Sequence, residues 1–376
     1  MNLIRIGRAA YAGLLCLMMH PAAAQVQVIR EEFRLPTQTA GIELYVRNKR
    51  PADLVNFTPG RTLLYVHGAT YPSETAFDLE LDQLSWMDYI ARQGWDVWLV
   101  DVRGYGRSDR PPEMAQAAQD HAPIVDTEVA VGDVSTAVDF VLAKRGLNKL
   151  CLLGWSWGTS IMGAYTARNN ARVAKLVLYA PLWLFDKPAP PSPALGAYRS
   201  VTMEQARQRW LRGVPDAAQA SLIPAGWFET WWNATLATDP VGAAQTPPVL
   251  RAPNGVVQDL RRYWMAGRAF YDPAEIRVPT MLVHAEWDAD LPLYQVQGYF
   301  QRLVNAPSRR WVEIGEGTHT VIMEKNRMQL FREVQLFLDE PLGARPCSAG
   351  SNGLHRDHWH AHCAHRKQCC WPQPPC

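Results

Sequence analysis

The chain has 376 residues, 48% hydrophobic and 20% charged, enough to bury one large core or two modest ones and unlike the polar composition of a disordered chain. Its formal net charge of +2 gives no reason to expect a nucleic-acid partner or a strongly basic membrane-binding surface.

Residues 1–24 read as a cleavable secretory signal peptide. Arg5 and Arg8 supply a basic start, residues 9–19 an apolar stretch, and Ala22, Ala23 and Ala24 a small-residue cleavage site before Gln25. The stretch is closed by His20 and Pro21, and no other run approaches the roughly 18 residues that a membrane span requires. A periplasmic or extracellular (secreted) mature chain without stable membrane insertion is therefore expected.

Residues 26–35 and 41–47 alternate apolar and polar side chains, as an antiparallel edge of a mixed sheet does. Residues 62–66 form a buried strand that ends in His67-Gly68, where the histidine reads as a loop brace. A helix is expected over 81–93, stopped by Gly94, and a strand over 95–100. The loop that follows, from Asp101 to Ser108, holds Gly104 and Gly106 but lacks the third glycine and following helix of a phosphate cradle, and Pro111-Pro112 forbids a helix there. Asp126 or Thr127 then caps a helix whose apolar face is Val131, Val134, Val138 and Val141.

That helix delivers the chain to residues 150–153, a short apolar strand that stops at Gly154. Gly154-Trp155-Ser156-Trp157-Gly158 matches the nucleophile-elbow pattern G-x-S-x-G and precedes a helix-compatible run, 161–168. A serine on so sharp a turn is held in a strained conformation that only small neighbours tolerate. Its hydroxyl stands above the sheet, and the start of the helix aims backbone N–H groups at any oxyanion formed there. The N–H groups of Trp157 and of Ala69, in the loop after strand 62–66, are the candidate oxyanion donors. Alternation of strand and helix up to this point predicts a parallel sheet with right-handed crossovers.

Val66-His67-Gly68, then Asp101-x-Arg103-Gly104-x-Gly106-x-Ser108, then Gly154-x-Ser156-x-Gly158 resemble, in order and at similar intervals, the α/β-hydrolase superfamily. The resemblance extends over about residues 40–180 and 275–340. It implies an α/β fold, a mostly parallel sheet flanked by helices, and a catalytic acid and histidine after the serine. Strand 278–285 leads into a loop in which Asp288 stands four residues before Pro292, as the superfamily's acid does; Asp290 and Glu286 are the alternates. Strand 310–314 leads into Gly315-Glu316-Gly317-Thr318-His319, a glycine-flexed loop presenting His319 as general base. His121 and His284 read as structural. Serine at the elbow separates the chain from superfamily members that use aspartate there, and no metal and no organic cofactor is expected.

Residues 181–275 interrupt the sheet and are expected to form a helical cap between two core parts, 25–180 and 276–341. The segment opens with prolines, Thr202 to Gln205 fits a capping box, and six of the chain's fifteen tryptophans fall within it. Trp155, Trp183, Trp227 and Trp231 are expected to line an apolar pocket over Ser156, against the simpler reading that they pack cap on core. Glu204 and Glu229 would meet a substrate amine if the enzyme resembled proline iminopeptidases. Residues 342–376 hold five of the seven cysteines and five of the ten histidines. No spacing there matches a recognised zinc framework, and the tail is expected to be disordered. The expected activity is a serine esterase acting on a small-molecule ester, with an amidase or aminopeptidase and a silent binding module as alternatives.

Overall fold

The computed structural model describes residues 26–191 and 193–342; the signal-like segment and the Cys/His-rich tail lie outside the described residues. Among the described residues are ten strands: β1 Val28–Pro36, β2 Glu43–Pro51, β3 Thr62–Val66, β4 Asp96–Val100, β5 Leu150–Trp155, β6 Val173–Tyr179, β7 Tyr198–Thr202, β8 Val249–Pro253, β9 Thr280–Ala285 and β10 Arg309–Ile314. Eight of them form one sheet in the order β1-β2-β4-β3-β5-β6-β9-β10. β2 runs antiparallel to both β1 and β4, and the remaining pairings are parallel. Every residue of β3, β4, β5, β6 and β9 is buried, the mark of strands covered on both faces by helices.

From β3 the chain moves outward to β4 and then returns to β5, on the other side of β3. The strand order therefore reverses between β3 and β5, and a crevice opens there at the carboxyl ends. Register finishes the job: Val66 pairs with Gly154, so the loop after β3 and the turn after β5 emerge side by side. Ala285 and Ile314 pair likewise at the ends of β9 and β10, setting their two loops together.

Two expectations change. Alternation along the second predicted segment implies a half-exposed strand, yet β2 is buried along nearly its whole length. Arg47 and Lys49 can lie inside because Glu74, Asp78 and Asp88 pair with them, and a charge so buried needs its partner. The helix expected from residue 81 starts at Trp86, since Ser85 accepts a 2.9 Å hydrogen bond from the Asp88 N–H and caps it. Asp126 in turn caps the helix Thr127–Arg145.

The inserted segment is helical, as expected, with Met203–Trp210, Asp216–Leu222, Trp227–Leu236 and Gly255–Arg262 as its longer helices. The Thr202/Gln205 capping box is formed. An antiparallel pair, β7 with β8, was not legible as such and ties the two ends of the insertion together. Asp239 anchors it by accepting from the N–H, Nε and Nη2 of Arg251. Among the described residues no helix is long and apolar enough to cross a membrane.

Candidate active site

Ser156 sits between β5 and the helix Trp157–Arg168 with φ 57° and ψ −120°, a backbone conformation that costs a non-glycine residue free energy. The surroundings hold it there: its N–H donates to the Tyr179 carbonyl at 2.9 Å. Close packing then requires the absence of side chains on either side. A Cβ on Gly158 would lie 2.6 Å from the His67 carbonyl oxygen, and one on Gly68 would lie 2.8 Å from the Cβ of Ser156. The β3 loop can thus press against the elbow, and Ala69 and Trp157, the candidate oxyanion donors, line the same cavity as Ser156. Neither is bonded to a backbone or side-chain acceptor among the described residues.

His319 follows β10. Its Nδ1 lies 2.7 Å from Asp288 Oδ2, so in the neutral imidazole the carboxylate favours the tautomer with the proton on Nδ1 and Nε2 as acceptor. That Nε2 is buried and has no hydrogen-bond partner among the described residues. Asp288 is fixed through its other oxygen, which accepts from the N–H groups of Asp290 and Leu291 at 3.0 and 2.9 Å. The His319 carbonyl accepts from Trp155 Nε1 at 3.0 Å and Tyr179 Oη at 2.8 Å. The imidazole is thus oriented by one bond, to a carboxylate that itself accepts three, and the loop that carries it is tied by two bonds to the His319 carbonyl.

Behind this loop lies the fully buried Glu324. It accepts from the Thr318 N–H at 3.0 Å, from the Thr318 hydroxyl, and from Trp210 Nε1 of the insertion at 2.9 Å. Burial outweighs these bonds and pushes its carboxyl up to about 7. The alternates to Asp288 have other work. Glu286 accepts the Glu316 N–H at 2.8 Å. Asp290 pairs with Arg209 and Arg212; burial alone would raise its carboxyl, but Arg209 above all brings it below the usual range.

The other histidines brace loops. His67 donates from Nδ1 to the Gly68 carbonyl at 2.6 Å and accepts the Val102 N–H at 3.1 Å on Nε2, and burial lowers it to about 4, so it stays neutral. His284 bonds Glu313 and, through Nε2, the Leu291 carbonyl at 2.9 Å, steadying the Asp288 loop from β9. His121 bonds Gln116 at an exposed site.

Ser156 lies where two cavities meet. The inner and smaller one is lined by Ser156, His319, Tyr71, Trp155, Trp210 and Trp231, with Arg209 shared with the outer one. The outer one, a vestibule of about 260 Å³, is lined by Ser156, Trp157, Leu182, Phe185, Val256 and three arginines. Two of the four predicted pocket tryptophans are elsewhere. Leu182 turns toward the vestibule, so its neighbour Trp183 points away and packs edge-on against Tyr299 at 5.2 Å. Trp227 lies under the Arg327 guanidinium, 4.5 Å from it. Tyr71 and Trp210 take their place, each meeting Trp231 edge-on at 4.7 and 5.0 Å. Sequence reasoning could have reached Trp210 from its place in the capped helix, but Tyr71 carries no pattern of its own. Among the described residues no group of three or more His, Cys, Asp or Glu could hold a metal ion.

Residues 61–326 match the family described as alpha/beta hydrolase fold, and the chain belongs to that family. It is similar to human lipase member N, with 27% identity over 132 residues, 35% of this chain and 33% of that protein, so the match spans only about a third of that relative. Among solved structures it is similar to a thermophilic esterase from Thermogutta terrifontis, at TM-score 0.53 and 17% identity over 82% of this chain and 98% of that one. It is also similar to the serine hydrolase CarC involved in carbazole degradation, at TM-score 0.56 and 15% identity over 82% and 99%. These structural likenesses concern the fold.

Proposed function

We propose that the protein is a serine hydrolase that cleaves a carboxylic ester through an acyl-enzyme on Ser156. The observation that carries this reading is the His319 imidazole, whose Nδ1–H is committed to Asp288 at 2.7 Å while its unpartnered Nε2 shares a cavity with Ser156. A base so oriented can take the serine proton and return it to the leaving alcohol, and Asp288 stabilises the imidazolium formed between those events. The tetrahedral oxyanion would be met by the N–H groups of Ala69 and Trp157. Water that takes the place of the departed alcohol beside His319 then releases the acid by the same route in reverse.

Ester cleavage is preferred to aminopeptidase action because the carboxylates that would hold a substrate ammonium are elsewhere. Glu204 bonds Gln208 and Glu229 pairs with Arg207, all on the exposed surface, and neither glutamate lines either cavity. A silent binding module is disfavoured by the strain at Ser156, for which binding alone has no use. Residues 1–24 support action in the periplasm or outside the cell, and a secreted form whose first residue is Gln25 would test that.

Nitrophenyl esters of increasing acyl length, run beside aminoacyl nitroanilides, test the reaction class. Ester turnover that falls by roughly 10⁴-fold or more in Ser156→Ala and in His319→Ala is expected. Turnover of the anilides alone would transfer the same residues to an aminopeptidase, and ester turnover indifferent to Ser156→Ala would overturn the mechanism.

A further inference from the structure

The vestibule carries more positive charge than its walls neutralise. Arg199, Arg209 and Arg212 line it together with Ser156, and Asp290 is the one carboxylate in that lining among the described residues. Asp290 accepts from Arg209 Nε at 2.6 Å and from Arg212 Nη1 at 2.7 Å, so a single carboxylate serves two guanidiniums. Arg199 is bonded to neutral groups instead: Nη2 donates to Thr70 Oγ1 at 2.6 Å and Nη1 to the Pro253 carbonyl. Burial holds Arg199 below its ordinary range, and the nearby charge of Arg209 acts in the same direction. A guanidinium nevertheless stays charged in a protein. Fastening the insertion to the core explains the Asp290 pairs, but it does not explain three cations gathered at the mouth of the site. Cations in a low-dielectric cleft concentrate and orient anions.

The two cavities differ in which side of the scissile bond they can take. His319 lines the inner cavity and not the vestibule. A general acid must reach the leaving oxygen, so the alcohol portion belongs in the inner cavity, with Tyr71, Trp155, Trp210 and Trp231, where Arg209 is the one cation among the described residues and is shared with the vestibule. The acyl portion is then directed into the vestibule. We infer that the acyl portion carries a carboxylate held by Arg199 in the field of Arg209 and Arg212, so that the substrate class is the half-ester of a dicarboxylic acid with an apolar or aromatic alcohol. The orientation rests on the reading of Ser156 and His319 given above. Hydrolysis breaks the acyl–oxygen bond, consumes one water and releases the alcohol, a dicarboxylate and one proton.

Binding to the Ser156→Ala protein tests the charge site without turnover. Calorimetry would compare the monophenyl ester of glutaric acid with the phenyl ester of glutaramic acid, in which a neutral amide replaces the carboxylate at nearly the same shape. The anionic ester is expected to bind about ten- to a hundredfold more tightly. The ratio is expected to fall toward one in Ser156→Ala/Arg199→Gln and to rise in Ser156→Ala/Asp290→Asn, which removes the vestibule's carboxylate. Equal affinities in the Ser156→Ala protein alone would overturn the inference, whatever the double variants do. Hydrolysis of the neutral ester by the unsubstituted protein separates the two claims. Turnover with equal binding would overturn the carboxylate site and leave the hydrolase reading in place. Anion preference with no turnover of either ester would overturn the hydrolase reading, and with it the assignment of the anion to the acyl portion.

Discussion

Replacing Glu324 with glutamine should change stability by an amount that depends on pH. The carboxyl is fully buried and is pushed up to about 7 by that burial, so between the ordinary glutamate range and 7 the folded chain binds a proton that the unfolded chain has lost. Stability therefore falls as pH rises through this window, the reverse of the usual carboxylate pattern. Displacement from an ordinary glutamate to about 7 amounts to roughly 3 kcal/mol. Glutamine cannot titrate, and its amide cannot accept from all three donors that Glu324 serves: the Thr318 N–H, the Thr318 hydroxyl and Trp210 Nε1. The hydroxyl can turn to accept from the amide, which leaves the indole N–H unmatched at about 1–3 kcal/mol. At about pH 5 Glu324→Gln is expected to be destabilising, and at about pH 8 the difference from the unsubstituted protein should shrink by roughly 3 kcal/mol, to near zero or a reversal. Urea unfolding of both proteins at the two pH values measures this directly, since all other titrating groups are common to both. A difference of the same size at both pH values would refute the reasoning.

Three further outcomes follow from the geometry. Gly158→Ala drives a methyl to within 2.6 Å of the His67 carbonyl oxygen, which belongs to backbone and cannot turn aside. A loss of about 1–3 kcal/mol in urea unfolding is expected, together with a fall in kcat as the elbow shifts. Asp288→Asn keeps the shape but favours the wrong imidazole tautomer, so kcat should fall by roughly 10⁴-fold with little change in melting temperature. Trp231→Ala enlarges the inner cavity and should raise kcat/KM for bulky-alcohol esters relative to small ones, whereas Trp183→Ala, which changes packing on Tyr299, should leave that ratio unchanged.

Chemistry in this chain is written in short local patterns, and those were legible. The elbow around Ser156 is a motif of neighbours in sequence, while the acid four residues before Pro292 and the histidine of the glycine-flexed loop at His319 were candidates through the resemblance to the superfamily, and the structure sets Asp288 and His319 2.7 Å apart. What spacing could not supply is the choice among side chains that tertiary packing orients. Trp183 and Trp227 lie in the right segment, but which way each faces depends on the turn after β6 and on Arg327 of the last helix. Tyr71 and Arg199 are drawn to the site by the loop after β3 and by the β7–β8 pair, contacts that span long stretches of chain. Burial of β2 was missed for a related reason. Its charged residues look exposed until Asp78 and Asp88 are brought against them.

Mass spectrometry after exposure to an alkyl fluorophosphonate tests the central proposal most directly, because such a reagent phosphonylates a serine, with loss of fluoride, only where a base has activated the hydroxyl and an oxyanion site receives the phosphoryl oxygen. One adduct per chain is expected, on the peptide that contains Ser156, and it should be absent from both Ser156→Ala and His319→Ala. An unmodified protein, or an adduct that persists in Ser156→Ala, would contradict the assignment of Ser156 as the nucleophile.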